Sequence, residues 1–212
     1  RHLKLKYDGI AFAEESEYPY VYRARFSTLR DTPKISILLL AHSEDKAEMS
    51  MTAIRENTHY KNYELFPIQS ETTSQNESYE SLGFKVIRDC INKIEGEIAV
   101  LIDEGLFPEN GEWLELLSEN ALRKETGAVG PLVLTQYGKI LHAGLVLNEN
   151  NTWQSPYKGE SYDHFAPFFV SPAVSRNVLG LAGCIAVEKK KLLRLENSRN
   201  IQDCCVKPYQ LG

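Results

Sequence analysis

Asp103 and Glu104 follow the unbroken apolar run Ile98–Ile102 and precede Gly105. A run of that kind predicts a short strand buried on both faces. An acidic pair at the carboxyl end of such a strand stands where open α/β sheets bind ligands. Carboxylate oxygens are hard donors, suited to a divalent cation that holds a diphosphate. The plainer reading is a strand that ends in a polar turn, because acidic residues are common in turns.

The surrounding pattern supplies the elements that would position this pair. Ile35–Ala41 reads as a buried strand, and Ser43 as the N-cap of a helix running to Asn57, with Glu44 and Asp45 favouring its dipole. Tyr63–Ile68 reads as a second strand, with Pro67 requiring an edge position or a bulge. Ser70–Ser81 is polar and reads as a loop, and Phe84, Ile87, Ile91 and Ile94 recur at helical spacing over Gly83–Glu95. After the Ile98–Ile102 strand, Trp113–Leu122 predicts a helix ending near Thr126, with Gly127 as its C-cap. Strands are expected at Ala128–Leu134 and Ile140–Leu147 around Gln136-Tyr137-Gly138, and at Val178–Leu181 and Cys184–Val187. Asn148–Pro172 reads as one long irregular connection, of the kind that is usually functional or disordered. The order βαβαβα followed by strands and loops predicts an α/β fold with a mostly parallel central sheet flanked by helices. Residues 1–31 read as an N-terminal extension or the tail of a preceding module, and 32–212 as the main domain.

Composition narrows the functional classes. The chain has 212 residues, 42% hydrophobic content and a net charge of −5. That balance argues against a nucleic-acid partner, whose non-specific binding draws on clustered Lys and Arg. No apolar run approaches the ~18 residues of a transmembrane segment. Arg1 stands where an initiator Met would, which predicts a piece of a longer protein whose other domains are candidate partners. Cys90, Cys184, Cys204 and Cys205 show neither metal-ligand spacing nor a plausible disulfide pair, and read as reduced thiols. No GxGxxG follows the first strand, which weighs against a dinucleotide-binding oxidoreductase.

Four stretches together resemble glycosyltransferase family 2, the nucleotide-sugar-dependent transferases of GT-A fold, and within it the bacterial enzymes of rhamnan and O-antigen synthesis. They are PKISILLLAHSEDKAEM, NTHYKNYELFPIQS, GEIAVLIDEGLFPENGEWLELL, and the pair GAVGPLVLTQYGKILHAGLVL and SRNVLGLAGCIAVEKKKL. The resemblance spans roughly Tyr20 to Gly212, and it is the order and spacing of the stretches that carry it. It implies inverting transfer of a sugar from a nucleoside-diphosphate sugar to a glycan acceptor hydroxyl, in surface polysaccharide or glycoprotein synthesis. It also implies Mg²⁺ or Mn²⁺ as cofactor, and work in the cytoplasm at the inner face of the membrane.

The chain departs from the family at the positions that carry this chemistry. Gln69 stands where the family has a nucleobase-reading Asp. The DxD motif maps to Asp103-Glu104-Gly105, leaving Asp103 as the metal ligand, with Glu104 as a substitute only if its side chain turns inward. The family's base motif, counted back from Gly212, puts Ile201 at its first Asp and Asp203 at its second; a shift of two residues makes Asp203 the catalytic base. The segments around 74–83 and 191–200 are shorter than the family pattern. His42 would replace a Tyr against the nucleobase, or is a surface histidine. His142 would contact donor or acceptor, or brace a turn. Arg176 would meet a diphosphate, or is a solvated strand-end residue. Tyr157, Tyr162, Phe165, Phe168 and Phe169 form a sugar platform or a packing surface, and Lys189-Lys190-Lys191 reads as a solvated face. Two readings stand: a working transferase with a weakened metal site, and a degenerate module that binds a partner or glycan without chemistry.

Overall fold

The computed structural model describes residues 11–16, 21–26, 32–69, 90–162, 172 and 174–196. The elements run β1 (Ala11–Glu15), β2 (Tyr22–Phe26), β3 (Ile35–Ala41), α1 (Glu44–Glu56), β4 (Tyr63–Gln69), β5 (Ile98–Asp103) and α2 (Trp113–Ala121). They continue with β6 (Val133–Leu134), β7 (Ile140–His142), β8 (Val146–Leu147), β9 (Trp153–Gln154), β10 (Cys184–Glu188) and α3 (Lys189–Glu196). Two compact units result, one of Arg1–Asp31 with Gly130–Ala182 and the other of Thr32–Val129 with Gly183–Gly212. No described helix is long and apolar enough to cross a membrane.

The second unit is a mixed α/β layer around a small sheet of order β10-β5-β3-β4. β3 pairs in parallel with β4 on one side and β5 on the other, and β10 closes the far edge antiparallel to β5. Every residue of β3 is buried, as are all of β5 before Asp103. β4 takes the edge of the described sheet, where Pro67, opposite Leu39, removes no central ladder bond. Leu38, Leu40, Ala99, Leu101 and Val187 pack with Ile91, Ile94 and Leu192 into one apolar cluster.

Local signals fix the flanking helices. The Ser43 side chain accepts from the Lys46 amide at 3.3 Å, with Glu44 and Asp45 in the first turn of α1. At the other end of α1, the Thr58 hydroxyl donates to the Ile54 carbonyl and accepts from the Trp113 indole N–H at 2.9 Å, tying α1 to α2. α2 stops at Ala121, short of the expected Thr126, and Gly127 is not its cap. The freed carbonyls of Ala121 and Arg123 instead accept from the Lys191 ammonium at 2.7 and 2.8 Å. Lys189 likewise donates to the Ile94 carbonyl at 2.6 Å, so only Lys190 behaves as the solvated residue the basic run suggested. Glu188, nearly buried, balances this corner from 2.7 Å off Lys190 and 3.2 Å off Lys191.

The amino ends of the strands are fastened by a polar network. Glu64 accepts from the buried Ser36 hydroxyl and from the Glu95 amide at 2.9 Å, and pairs with Lys34 at 2.9 Å. Ser36 Oγ in turn accepts from the Gly96 amide at 2.9 Å. Gly96 sits so close to β3 that a Cβ would stand 2.5 Å from the Ser36 backbone nitrogen.

The first unit is built of short antiparallel pieces: β1 with β2, β6 with β7, and β8 with β9. The expected strand Ile140–Leu147 breaks into β7 and β8 at Gly144, whose φ of 80° and contact with the Val178 side chain leave no room for a Cβ. The expected strand Ala128–Leu134 shrinks to β6 and a single bridge at Val129, and Val178–Leu181 to one bridge between Gly180 and Leu145. The 148–172 connection is not wholly irregular. Asn148 Oδ1 accepts from the amides of Asn150 and Thr152 at 3.0 and 2.9 Å, and Asn151 takes a left-handed φ of 56°, closing the β8–β9 hairpin. Of the expected 83–95 helix only the last turn, from Cys90, is among the described residues.

Two contrasts test this account. Gly96→Ala is expected to destabilise the protein by about 1–3 kcal/mol through backbone overpacking, while Gly127→Ala, which meets open space, stays within about 0.5 kcal/mol in urea unfolding. Lys191→Met is expected to cost about 1–3 kcal/mol by stranding helix-end carbonyls and half of Glu188's partners, and Lys190→Met, on an exposed side chain, under about 1 kcal/mol.

Candidate functional site

The sheet register brings three of the expected site residues to one edge. Gln69 ends β4 opposite Ala41, Asp103 ends β5 opposite Leu40, and His42 follows β3 directly. From β3 the chain moves to β4 on one side and β5 on the other, so the order reverses between β3 and β5. The crevice beyond the carboxyl ends at such a reversal is where α/β sheets take ligands. His42 and Asp103 flank that point.

Asp103 is half-buried at the close of an apolar strand. Its amide donates to the Gly183 carbonyl at 2.9 Å, and its carbonyl accepts from Leu106. Burial lifts its carboxyl pKa from 3.8 to about 6; the neighbouring His42 opposes the rise and Glu104 adds to it. Beneath it Cys184 is buried, and its thiol is pushed up to about 12 by burial, with the charge of Asp103 adding to the effect. Cys90 and Cys184 are not in a disulfide; Cys204 and Cys205 lie outside the described residues.

Glu104 turns to the protein. Its Oε2 accepts from the backbone amides of His42 at 2.8 Å and Ser43 at 3.3 Å, and its Oε1 stands 3.5 Å from both His42 Nδ1 and Lys46 Nζ. Burial alone would push its pKa up, but the two amides and the charges of His42 and Lys46 outweigh it and hold it below the usual carboxylate range. Gly105 follows at φ 80°, and its amide donates to the Ser50 hydroxyl of α1 at 3.0 Å. The turn after β5 is thus bound to α1 on both sides.

His142 and Arg176 belong to the other unit, where they meet around one turn. The Arg176 guanidinium donates to the carbonyl of Ala143, next to His142, and lies 5.0 Å from the centroid of the Tyr157 ring. Tyr157 holds a left-handed φ of 63°, a strained backbone for an aromatic residue. The Ser155 hydroxyl accepts from the Ala143 amide at 3.4 Å in the same turn. His142 is half-buried; its Nδ1 is wholly buried without a hydrogen-bond partner among the described residues, and burial, then the Lys158 charge, lowers its pKa. Asp203 and Ile201, with Phe165, Phe168 and Phe169, lie outside the described residues. Sequence reasoning missed Ser50 and Ser43 as the groups that hold the 103–105 turn. A serine on the inner face of α1, out of keeping with its apolar neighbours, was the available signal.

No protein-family model matches the chain. Over 151 residues it is 25% identical to the O-antigen biosynthesis protein RfbC of Myxococcus xanthus, a match that covers 62% of this chain. The chain spans only 12% of that protein's length. This is a distant similarity to a much longer O-antigen biosynthesis protein.

Because the Asp103 carboxyl binds its proton more tightly folded than unfolded, its contribution to stability is complete below pH 4 and is lost as pH rises through about 6. A shift of this size corresponds to on the order of 3 kcal/mol. Asp103→Asn should therefore gain up to that much over the parent at pH 8 and nothing comparable at pH 4. Urea unfolding at the two pH values checks this, and an equal difference at both would tell against a strained ionised Asp103.

Proposed function

We propose that the chain from Thr32 onward is a family-2-like glycosyltransferase domain of GT-A type. It takes up a nucleoside-diphosphate sugar for transfer to a glycan acceptor hydroxyl in surface polysaccharide or glycoprotein synthesis, at the cytoplasmic face of the membrane. The observation that carries this reading is the meeting of Gln69, His42 and Asp103 at the carboxyl ends of three parallel strands, beside the reversal of strand order. A neutral amide at Gln69 pairs with a uracil or thymine edge as donor and acceptor. His42, exposed just beyond β3, would offer a ring face to the base. Asp203 is the assigned proton acceptor from the acceptor hydroxyl. The similarity to an O-antigen biosynthesis protein supports polysaccharide synthesis as the setting.

A second reading, a catalytically silent module that binds a partner or glycan within a larger protein, is favoured by one feature. Glu104 is engaged by His42 and Ser43, and Gly105 stands where a further carboxylate would serve the chemistry.

Thermal unfolding with UDP, dTDP and GDP, and with their sugars, separates the two. A ligand at a hundredfold excess over its Kd stabilises by about 2.7 kcal/mol, which for a chain of this size raises the midpoint by roughly 5–10 °C. We expect such a shift with at least one uridine or thymidine nucleotide, and release of nucleotide from its sugar in the presence of acceptor. A shift without turnover selects the silent module, and no shift with any nucleotide overturns the nucleotide-sugar reading.

A further inference from the structure

We propose that Glu104 is a positioning residue, not a cation ligand: it clasps the His42 and Ser43 amides, and this end of the sheet takes its ligand without a divalent metal. The part concerning ligand rests on the nucleotide-sugar reading above; the clasp does not.

A divalent cation that holds a diphosphate is held by one or two protein carboxylates together with the phosphates and water, and the resemblance implies two. Asp103 and Glu104 are consecutive, and both lie near His42, but Glu104 is already held by the protein. Both of its oxygens are committed, one to two backbone amides and the other facing His42 and the Lys46 ammonium, and only 11% of the side chain is exposed. A cation drawn to Glu104 would stand against Lys46 and would leave the His42 and Ser43 amides without their acceptor. Gly105 supplies no side chain, and its backbone is already directed to Ser50. Among the described residues, no group of three or more His, Cys, Asp or Glu side chains is placed to share an ion. Asp103 is then the one carboxylate left at this strand end among the described residues, a poorer donor set than the paired carboxylates that the family resemblance implies for Mg²⁺ or Mn²⁺.

The clasp has a positive use. It joins the turn after β5 to the corner between β3 and α1, the two segments that border the reversal of strand order. An amide pair at the start of a helix attracts an anion, and here the protein supplies that anion itself. Glu104 therefore fixes the spacing between His42 and Asp103.

Three measurements on the whole chain test this. Titration with Mn²⁺ alone, read by paramagnetic broadening of backbone amide signals, should give no saturable broadening at residues 40–44 and 103–106 below about 1 mM metal. Saturable broadening there that vanishes in Asp103→Asn overturns the metal-free assignment. Hydrogen exchange at the His42 and Ser43 amides should speed at least tenfold in Glu104→Ala and stay within threefold of the parent in Glu104→Gln, whose amide oxygen still accepts; unchanged exchange in Glu104→Ala overturns the clasp. The affinity for UDP or dTDP should be the same within twofold in EDTA and in Mg²⁺, and a tenfold loss in EDTA overturns the proposal while upholding the nucleotide reading. If no nucleotide binds, that reading fails alone, and the Mn²⁺ and exchange measurements decide the proposal.

Discussion

Complete burial of β3 is the constraint from which the arrangement follows. All of its residues are covered, and both of its edges are paired to parallel neighbours. A strand in that position cannot carry polar side chains without a partner for each, which is why its one polar residue, Ser36, is bonded twice. Parallel pairing also forbids a tight hairpin to β4, so the chain must leave β3 at its carboxyl end and return over α1. The same geometry applies to β5. The carboxyl ends of three strands are therefore forced to one edge, and whatever stands just beyond them is placed together by topology alone.

The two ends of the sheet then diverge in character. At the amino ends the polar groups are closed on one another: Lys34, Ser36, Glu64 and the Glu95 and Gly96 amides form a network with no need of a ligand. At the carboxyl ends one carboxylate, Glu104, is likewise absorbed by the backbone, but its neighbour Asp103 is half-buried near an imidazole, without such support among the described residues. The adjacent acids are treated unequally: Glu104 is a fastening, and the Asp103 carboxyl is raised by burial.

The second unit was largely readable from residue pattern. The Ile35–Ala41 and Ile98–Ile102 runs are apolar without alternation, the mark of strands covered on both faces, and Ser43 announced its helix because a hydroxyl before two acids satisfies orphan amides and the dipole together. Pro67 limited β4 to an edge position or a bulge, and β4 takes the edge of the described sheet. What could not be read was long-range. The end of α2 looked set by Gly127, yet Lys191, seventy residues away, takes the carbonyls and stops the helix at Ala121. A run of three lysines carries no mark of which one will cap a distant helix. The first unit was read poorly, since Ile140–Leu147 is continuous in apolar content and its break depends on Val178 packing against Gly144. At the candidate site the strand-end placement of Asp103 and Gln69 was legible, and the direction of Glu104 was not, because nothing in Asp-Glu-Gly states which amides lie within reach.

Cys184 has a consequence of its own. Its thiol lies under the β5–β10 seam, next to a carboxylate and shut off from water, and it stays protonated through any physiological pH. Thiolate is the reactive form, so oxidants and alkylating reagents find nothing to attack while β10 is seated. The residue behaves as a sealed tamper mark: once labelled, it records that the edge strand has peeled away, and the rate of labelling becomes a clock for that opening.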